Sequence, residues 1–592
     1  MIRYPKLKAS ASYRQVLDRF KGYNRNLRIG SGEFSQMENL TSDDYPVLSV
    51  RKQRGFLSNV LQDGGTATGA LYVPGAGLFI TVDQWDPQSQ DDPKVFGSLH
   101  LLGEDGENRM VVWDLMTGHK SLALMGKRLI IAPDMKWVDI DSLTTGSLEK
   151  TWVVNTGKVD VSLCDKDGNV YQNVSTSAEP PANPGYHQLW LCTAVGCVGL
   201  NQYEPATSQW VSIASTYVKM TGLGDHRFSE GDGVEISGLT GLATALNGTA
   251  VIQYAGHGEI RIPGILKGYH MQGCSENPVT LERKVPSLDF LVECGNRLWG
   301  CKADTNEIYG CKLGDPFNWN CFQGLSTDSW VGNVGTPGEF TGGAVQNGYP
   351  VFYKENCKHK VWPSATGAHQ ITTTNCDGVE KGSQGSVAVW DGTVFYKSPF
   401  GVFADDGGGS VEIGQALGNV RYHNGMGAIH DRKYYLSVED NTGKRVLFVY
   451  DIARKMWHRE TGINGTLCSA GDSLIGAHGD IWDLTGNIGT PEPEVSWMAV
   501  TGDLGLELPE QKYITRLTLR LSLDPGATLE VYAQYDREQT WVKLGQVYGT
   551  DLRSFSLPVR PRRCDQLRLK LQGKGMCKIY SITKTLGKGS EL

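Results

Sequence analysis

An all-β chain built on a multi-bladed β-propeller, with an inserted small β domain and a C-terminal β-sandwich, is what this sequence predicts, on three observations. Glycine is used heavily, at 73 of 592 residues, alongside 15 Trp and 24 Tyr, where average Gly usage is about 7%. Short apolar runs bounded by Gly- or Asp-led turns recur every ~40 to 50 residues, the spacing of propeller blades. Towards the C-terminus, apolar and polar residues alternate, the period of strands with one wet face.

Taken in order, residues 1–55 read as an N-terminal arm with one short helix over Tyr13–Phe20 and a polar stretch ending YPVLSVRKQRG. Residues 56–150 and 286–490 read as the two parts of the propeller. The repeated shape is seen in GKRLIIAPDMKWVDID (126–141) and at 295–313, 347–362, 391–406, 431–460 and 470–484. Each pairs an apolar run, such as Leu129-Ile130-Ile131 or Val351-Phe352-Tyr353, with a polar turn and a second run that often holds Trp or Tyr. These are inner hairpins of four-stranded blades, and about six or seven blades fit.

The regularity fails over 151–285, which predicts an inserted β domain; Val234, Ile236, Val251, Ile252, Ile260 and Ile262, around the turn Asn247-Gly248, suit a small barrel or sandwich. After the linker GNIGTPEPEVSW, residues 495–592 predict the sandwich. Leu517, Leu519 and Leu521 alternate with Thr518, Arg520 and Ser522, and further strands are expected over 529–535, 541–547, 554–559, 566–571 and 577–582.

Bulk chemistry narrows the function. Lys plus Arg is 57 and Asp plus Glu 64, a net charge of −7, which argues against the wide basic face that tight duplex binding needs. The 13 Cys are scattered without CxxC pairs, and no basic-then-apolar signal segment opens MIRYPKLKASASYRQ, so reduced thiols are expected. No apolar run approaches the ~20 residues of a membrane helix, and no membrane insertion is expected.

Candidate chemistry is thin, and no catalytic, cofactor-binding or metal-ligating residue is assigned. Cys294, Cys301, Cys311 and Cys321 lack the close spacing of a zinc site, so packing explains them better. Cys192 and Cys197 could form a clip inside the insertion. Asp165 and Asp167 before Gly168 lack the remaining oxygen ligands of a calcium loop and read as a turn, as do Asp405 and Asp406. There is no HExxH, no GxSxG and no complete Asp-box; Trp390-Asp391-Gly392-Thr393 is an ordinary turn. Trp319 and Trp190 could serve as a carbohydrate platform or cap a core. Arg560, Arg562 and Arg563, with Arg568 and Lys570, form the strongest basic stretch, suited to a subunit-contact rim or a solvated edge.

Three stretches carry a family likeness: FKGYNRNLRIGSGEFSQMENLTSDDYPVLSVRKQRG (20–55), NRLWGCKADTNEIYGCKLGDPFNWNCFQG (296–324) and LPVRPRRCDQLRLKLQGKGMCKIYSITKTLGKGSEL (557–592). They resemble virion structural proteins of tailed bacteriophages and, through architecture, the propeller-containing tail nozzle of short-tailed phages. The resemblance implies a homohexameric ring in the virion tail, assembled in the bacterial cytoplasm, contacting other tail, adaptor or portal proteins and, transiently, passing double-stranded DNA. An acidic wall would let the phosphate backbone slide past without tight contacts. A tail-associated receptor- or glycan-binding protein is the alternative, and a polysaccharide hydrolase ranks third.

Overall fold

The computed structural model describes residues 12–58, 65–85, 95–103, 107–463, 465–478, 480–506, 511–559 and 562–588. Among these, every named element is a strand except three short 3-10 turns. Four-stranded meanders fill the propeller part of the chain. They run from Thr66–Val73 to Asn108–Leu115, Ser121–Met125 to Thr145–Ser147, Phe290–Glu293 to Trp330–Asn333, Phe340–Gln346 to Gln370–Asn375, Ala388–Trp390 to Ser410–Glu412, and Tyr422–His430 to Met456–Glu460. A further blade takes Thr466–Ala470, Ser473–His478 and Asp480–Asp483 and is completed by Gly55–Ser58 from the start of the chain, with Trp482 opposite Phe56.

Five of the six segments singled out in the sequence are the second and third strands of these blades, and 431–460 holds the second, third and fourth. Inner strands are buried on both faces, so they read as continuous apolar runs; Leu129, Ile130 and Ile131 are fully buried. Tight turns between them use left-handed residues, such as Asp391 and Gly392 at φ 46° and 74°.

By contacts the chain forms two compact units, residues 1–120, 338–358 and 373–592, and residues 121–337 and 359–372. The second contains the inserted domain. One of its sheets joins Lys150–Val154, Val279–Arg283, Gly233–Ser237 and Gly248–Val251; another runs through Glu259–Pro263, Tyr217–Thr221 and Asp160–Cys164. Val234, Ile236, Ile252, Ile260 and Ile262 meet in their shared core.

The first unit contains the C-terminal β-sandwich, whose strands are Ser496–Thr501, Lys512–Tyr535, Val542–Leu557, Leu567–Lys574 and Cys577–Lys588. N-terminal strands are woven into it: Glu33–Glu38 pairs with Ser496–Thr501, and Leu48–Val50 with Cys577–Lys588. The helix expected over Tyr13–Phe20 is instead the strand Ser12–Leu17, in register from Ser12 opposite Gly587 to Leu17 opposite Ile582. Backbone pairing with the far end of the chain overrides the local helical spacing.

One buried histidine sets an acid limit on this unit. His458 is 3% exposed, neither ring nitrogen has a partner among the described residues, and burial, with the Lys433 cation nearby, holds its pKa down at about 3. An unfolded His titrates near 6.5, so above that pH neither state is charged and stability is full. As pH falls from ~6.5 towards ~3, the unfolded chain takes up a proton that the native one refuses, and stability is lost. Melting curves of His458→Leu should therefore fall less steeply with pH across this window, by about 1.4 kcal/mol per pH unit for one proton. Parallel curves for parent and variant would refute the assignment.

Candidate functional site

The residues singled out in the sequence mostly have structural partners. Cys294, Cys301, Cys311 and Cys321 are all buried, and the Cys311 Sγ accepts the Leu298 N–H at 3.1 Å. Burial pushes the Cys311 thiol up to about 12. Among the described residues no group of three or more His, Cys, Asp or Glu could hold a metal ion. Cys192 and Cys197 are both free. Asp165 closes a turn by accepting the N–H groups of Asp167 and Asn169, each at 2.9 Å. Asp406 does the same for Gly408 and Asp405 for Gly407; Asp405 is in addition fully buried against Lys358, a partner far away in sequence.

The basic stretch is tied down within its own chain. Arg562 pairs with Glu538 and lies 5.3 Å from the Tyr535 ring. Arg568 bonds Ser35, and Lys570 lies over the rings of Tyr532 and Trp541. Arg563 is exposed, and Arg560 lies outside the described residues.

A cleft of about 730 Å³ in the first unit is lined by Glu38, Glu492, Glu494 and Glu530 with Arg51, Arg54 and Lys574. Two of its carboxylates, Glu530 and Glu492, are held towards the ionised form. Hydrogen bonds from Lys543, Tyr532 and Gln572 lower Glu530 to about 2. Glu492 is also lowered, burial being outweighed by Arg51 and the Arg54 backbone. Glycoside cleavage needs a carboxylic acid with a raised pKa, and neither glutamate offers one.

A second candidate is a small sheet of the insertion, Ser175–Ser177, Leu189–Cys192, Gly199–Glu204 and Gln209–Ser212. Alternation sends Leu191 and Leu200, which face each other, into the insertion's core. The other face carries the row Ser175, Trp190, Asn201, Ser212 and, one step along, the pair Tyr203 and Trp210. The Trp210 ring lies 5.5 Å from Trp190, edge-on, and 5.4 Å from Tyr203. Ser177 fixes the Trp190 indole N–H at 3.0 Å, and Gln188 donates to Ser175 at 2.6 Å. Trp190 is nearly buried beneath the two half-buried rings. Sequence reasoning found Trp190 but not Tyr203 or Trp210, because only strand register brings the three together.

No family model matches the chain, and no curated protein matches it. Solved structures similar to it include U3-55K, at 8% identity and TM-score 0.30, covering 73% of this chain and 98% of that one. Trypanosoma rangeli sialidase in complex with sialic acid aligns at 9% identity and TM-score 0.22 over 98% and 96% of the two chains. The phage phi92 endosialidase aligns at 9% and 0.19, over 82% and 58%.

Proposed function

We propose that the protein is a component of a bacteriophage tail that works by non-covalent binding, its propeller a rigid scaffold and its insertion and sandwich the contact modules. Of the two finer forms, attachment to a host-surface receptor or glycan has the better support, and the observation that carries it is the partly open aromatic face at Trp190, Tyr203 and Trp210. The second form is a homohexameric nozzle that retains and releases DNA, meeting adaptor or portal proteins. It draws on the family likeness of residues 20–55 and on the net charge of −7, which suits passage of a phosphate backbone. Exposed Arg563 would then belong to the contact rim between copies.

Immunogold electron microscopy of phage particles, with an antibody against residues 495–592, tests the reading. Label confined to the tail is expected, and its axial position separates a receptor-binding part from a nozzle. Intact particles that never label, beside a positive control, overturn it.

A further inference from the structure

We infer that the aromatic face of the insertion's small sheet is a binding site for uncharged saccharides, a proposal that rests on the glycan-binding form of the reading above. The insertion's core takes Leu191 and Leu200 from this sheet; Trp190, Tyr203 and Trp210 stand outside it and pack on one another at 5.4 to 5.5 Å. Ring clusters of this kind, left half-open, offer π-faces to the C–H faces of a sugar ring. Beside them, the row Ser175, Asn201 and Ser212 supplies hydroxyls and an amide, each able to donate and accept. A saccharide presents the same two features, apolar C–H faces and a rim of hydroxyls.

Size and charge select the occupant. A buried aromatic side chain contributes about 150–250 Å², so two half-buried rings over a third fall well short of the ~800 Å² per partner of a stable protein interface. The rows on this face, Ser175-Trp190-Asn201-Ser212 and Tyr203-Trp210, carry no Lys, Arg, Asp or Glu, the pair Glu204 and Gln209 falling by alternation on the opposite face, so nothing on them would compensate the carboxylate of an acidic sugar or a phosphate. A neutral glycan segment of few residues fits both limits.

The test is affinity electrophoresis of the full chain in gels containing dextran, laminarin or galactomannan as neutral probes, and colominic acid or polygalacturonate as acidic ones. Retardation by at least one neutral probe is expected. Trp210→Ala should weaken it about tenfold with an unchanged melting temperature, and Trp210→Phe should restore part of it. No retardation by any neutral probe, equal retardation by acidic ones, or retardation indifferent to Trp210→Ala would overturn the site. Tail labelling with no neutral binding removes this site and leaves the tail reading standing; neutral binding with unlabelled tails does the reverse.

Discussion

Replacing Lys358 with Met is expected to lower stability by about 3–5 kcal/mol, the loss that follows when one partner of a buried ion pair is removed. The Asp405 side chain is 0% exposed and that of Lys358 4%, with Nζ at 2.7 and 2.6 Å from the two carboxylate oxygens. Tyr353 donates its hydroxyl to the same carboxylate at 3.3 Å and Gly407 its N–H at 2.9 Å. The pair pins strand Cys357–Trp362 to strand Gly401–Asp405, the third strands of consecutive blades. Without the ammonium, Asp405 must stay charged in a dry site or take up a proton, and both cost free energy. Adding Asp405→Asn keeps an acceptor for Tyr353 and Gly407 while removing the charge, so the double variant should recover to within ~1–2 kcal/mol of the parent. Urea unfolding with midpoint and slope both fitted decides it. A single variant that loses less than ~1 kcal/mol, or a double variant no better than the single, would show the pair to be incidental.

What the sequence showed and what it hid divide by distance along the chain. Hairpins such as Arg128–Ala132 with Lys136–Asp139 were legible because both strands and their turn fall within one short window. Strand Ser12–Leu17 was not, because its partner is Cys577–Lys588. Asp524-Pro525-Gly526 reads as a break between two strands, yet Lys512–Tyr535 is one strand. A register slip between Leu523 and Thr528 absorbs the proline, the bulge position where a missing N–H is tolerated. Asp405 closes the expected turn onto Gly407, but its ion pair with Lys358 is not legible because Lys358 comes much earlier in the chain. The aromatic face followed the same rule: Trp190 stood out alone, and its value depends on Asn201, Tyr203 and Trp210 arriving by register.

The second large effect is expected at Gly22. Gly22–Tyr23 is a two-residue strand between two longer ones: Tyr23 pairs with Trp457 of the blade strand Met456–Glu460, and Gly22 and Tyr23 pair with Glu33 and Phe34. From there the sheet continues into Ser496–Thr501, so these two residues belong to the hydrogen-bonded join between blade and sandwich, together with Asn39, whose N–H bonds the Arg459 carbonyl at 3.0 Å and whose side-chain amide bonds the Ser496 carbonyl. Gly22 has φ +84°, and a Cβ there would lie 2.3 Å from the Trp457 carbonyl oxygen, a backbone atom with no rotamer to escape by. Trp457 itself is fixed, 2% exposed, its indole N–H bonded to the Ile413 carbonyl at 2.7 Å and its ring 4.9 Å from Tyr450. Gly22→Ala must therefore open the join as well as bear the left-handed backbone cost of about 1–2 kcal/mol, and a total of at least ~3 kcal/mol is expected. Gly118→Ala is the matched control, since Gly118 has φ +97° and nothing within 4 Å of its would-be Cβ; the difference between the two variants isolates the clash. If the join couples blade to sandwich, Gly22→Ala should also split a shared unfolding transition in two, seen as calorimetric and van't Hoff enthalpies that no longer agree. A Gly22→Ala protein that loses no more than Gly118→Ala would mean that the sandwich is held by its own core, in which Leu519, Leu529, Val531 and Leu569 are fully buried, and that the N-terminal strands merely lie along it.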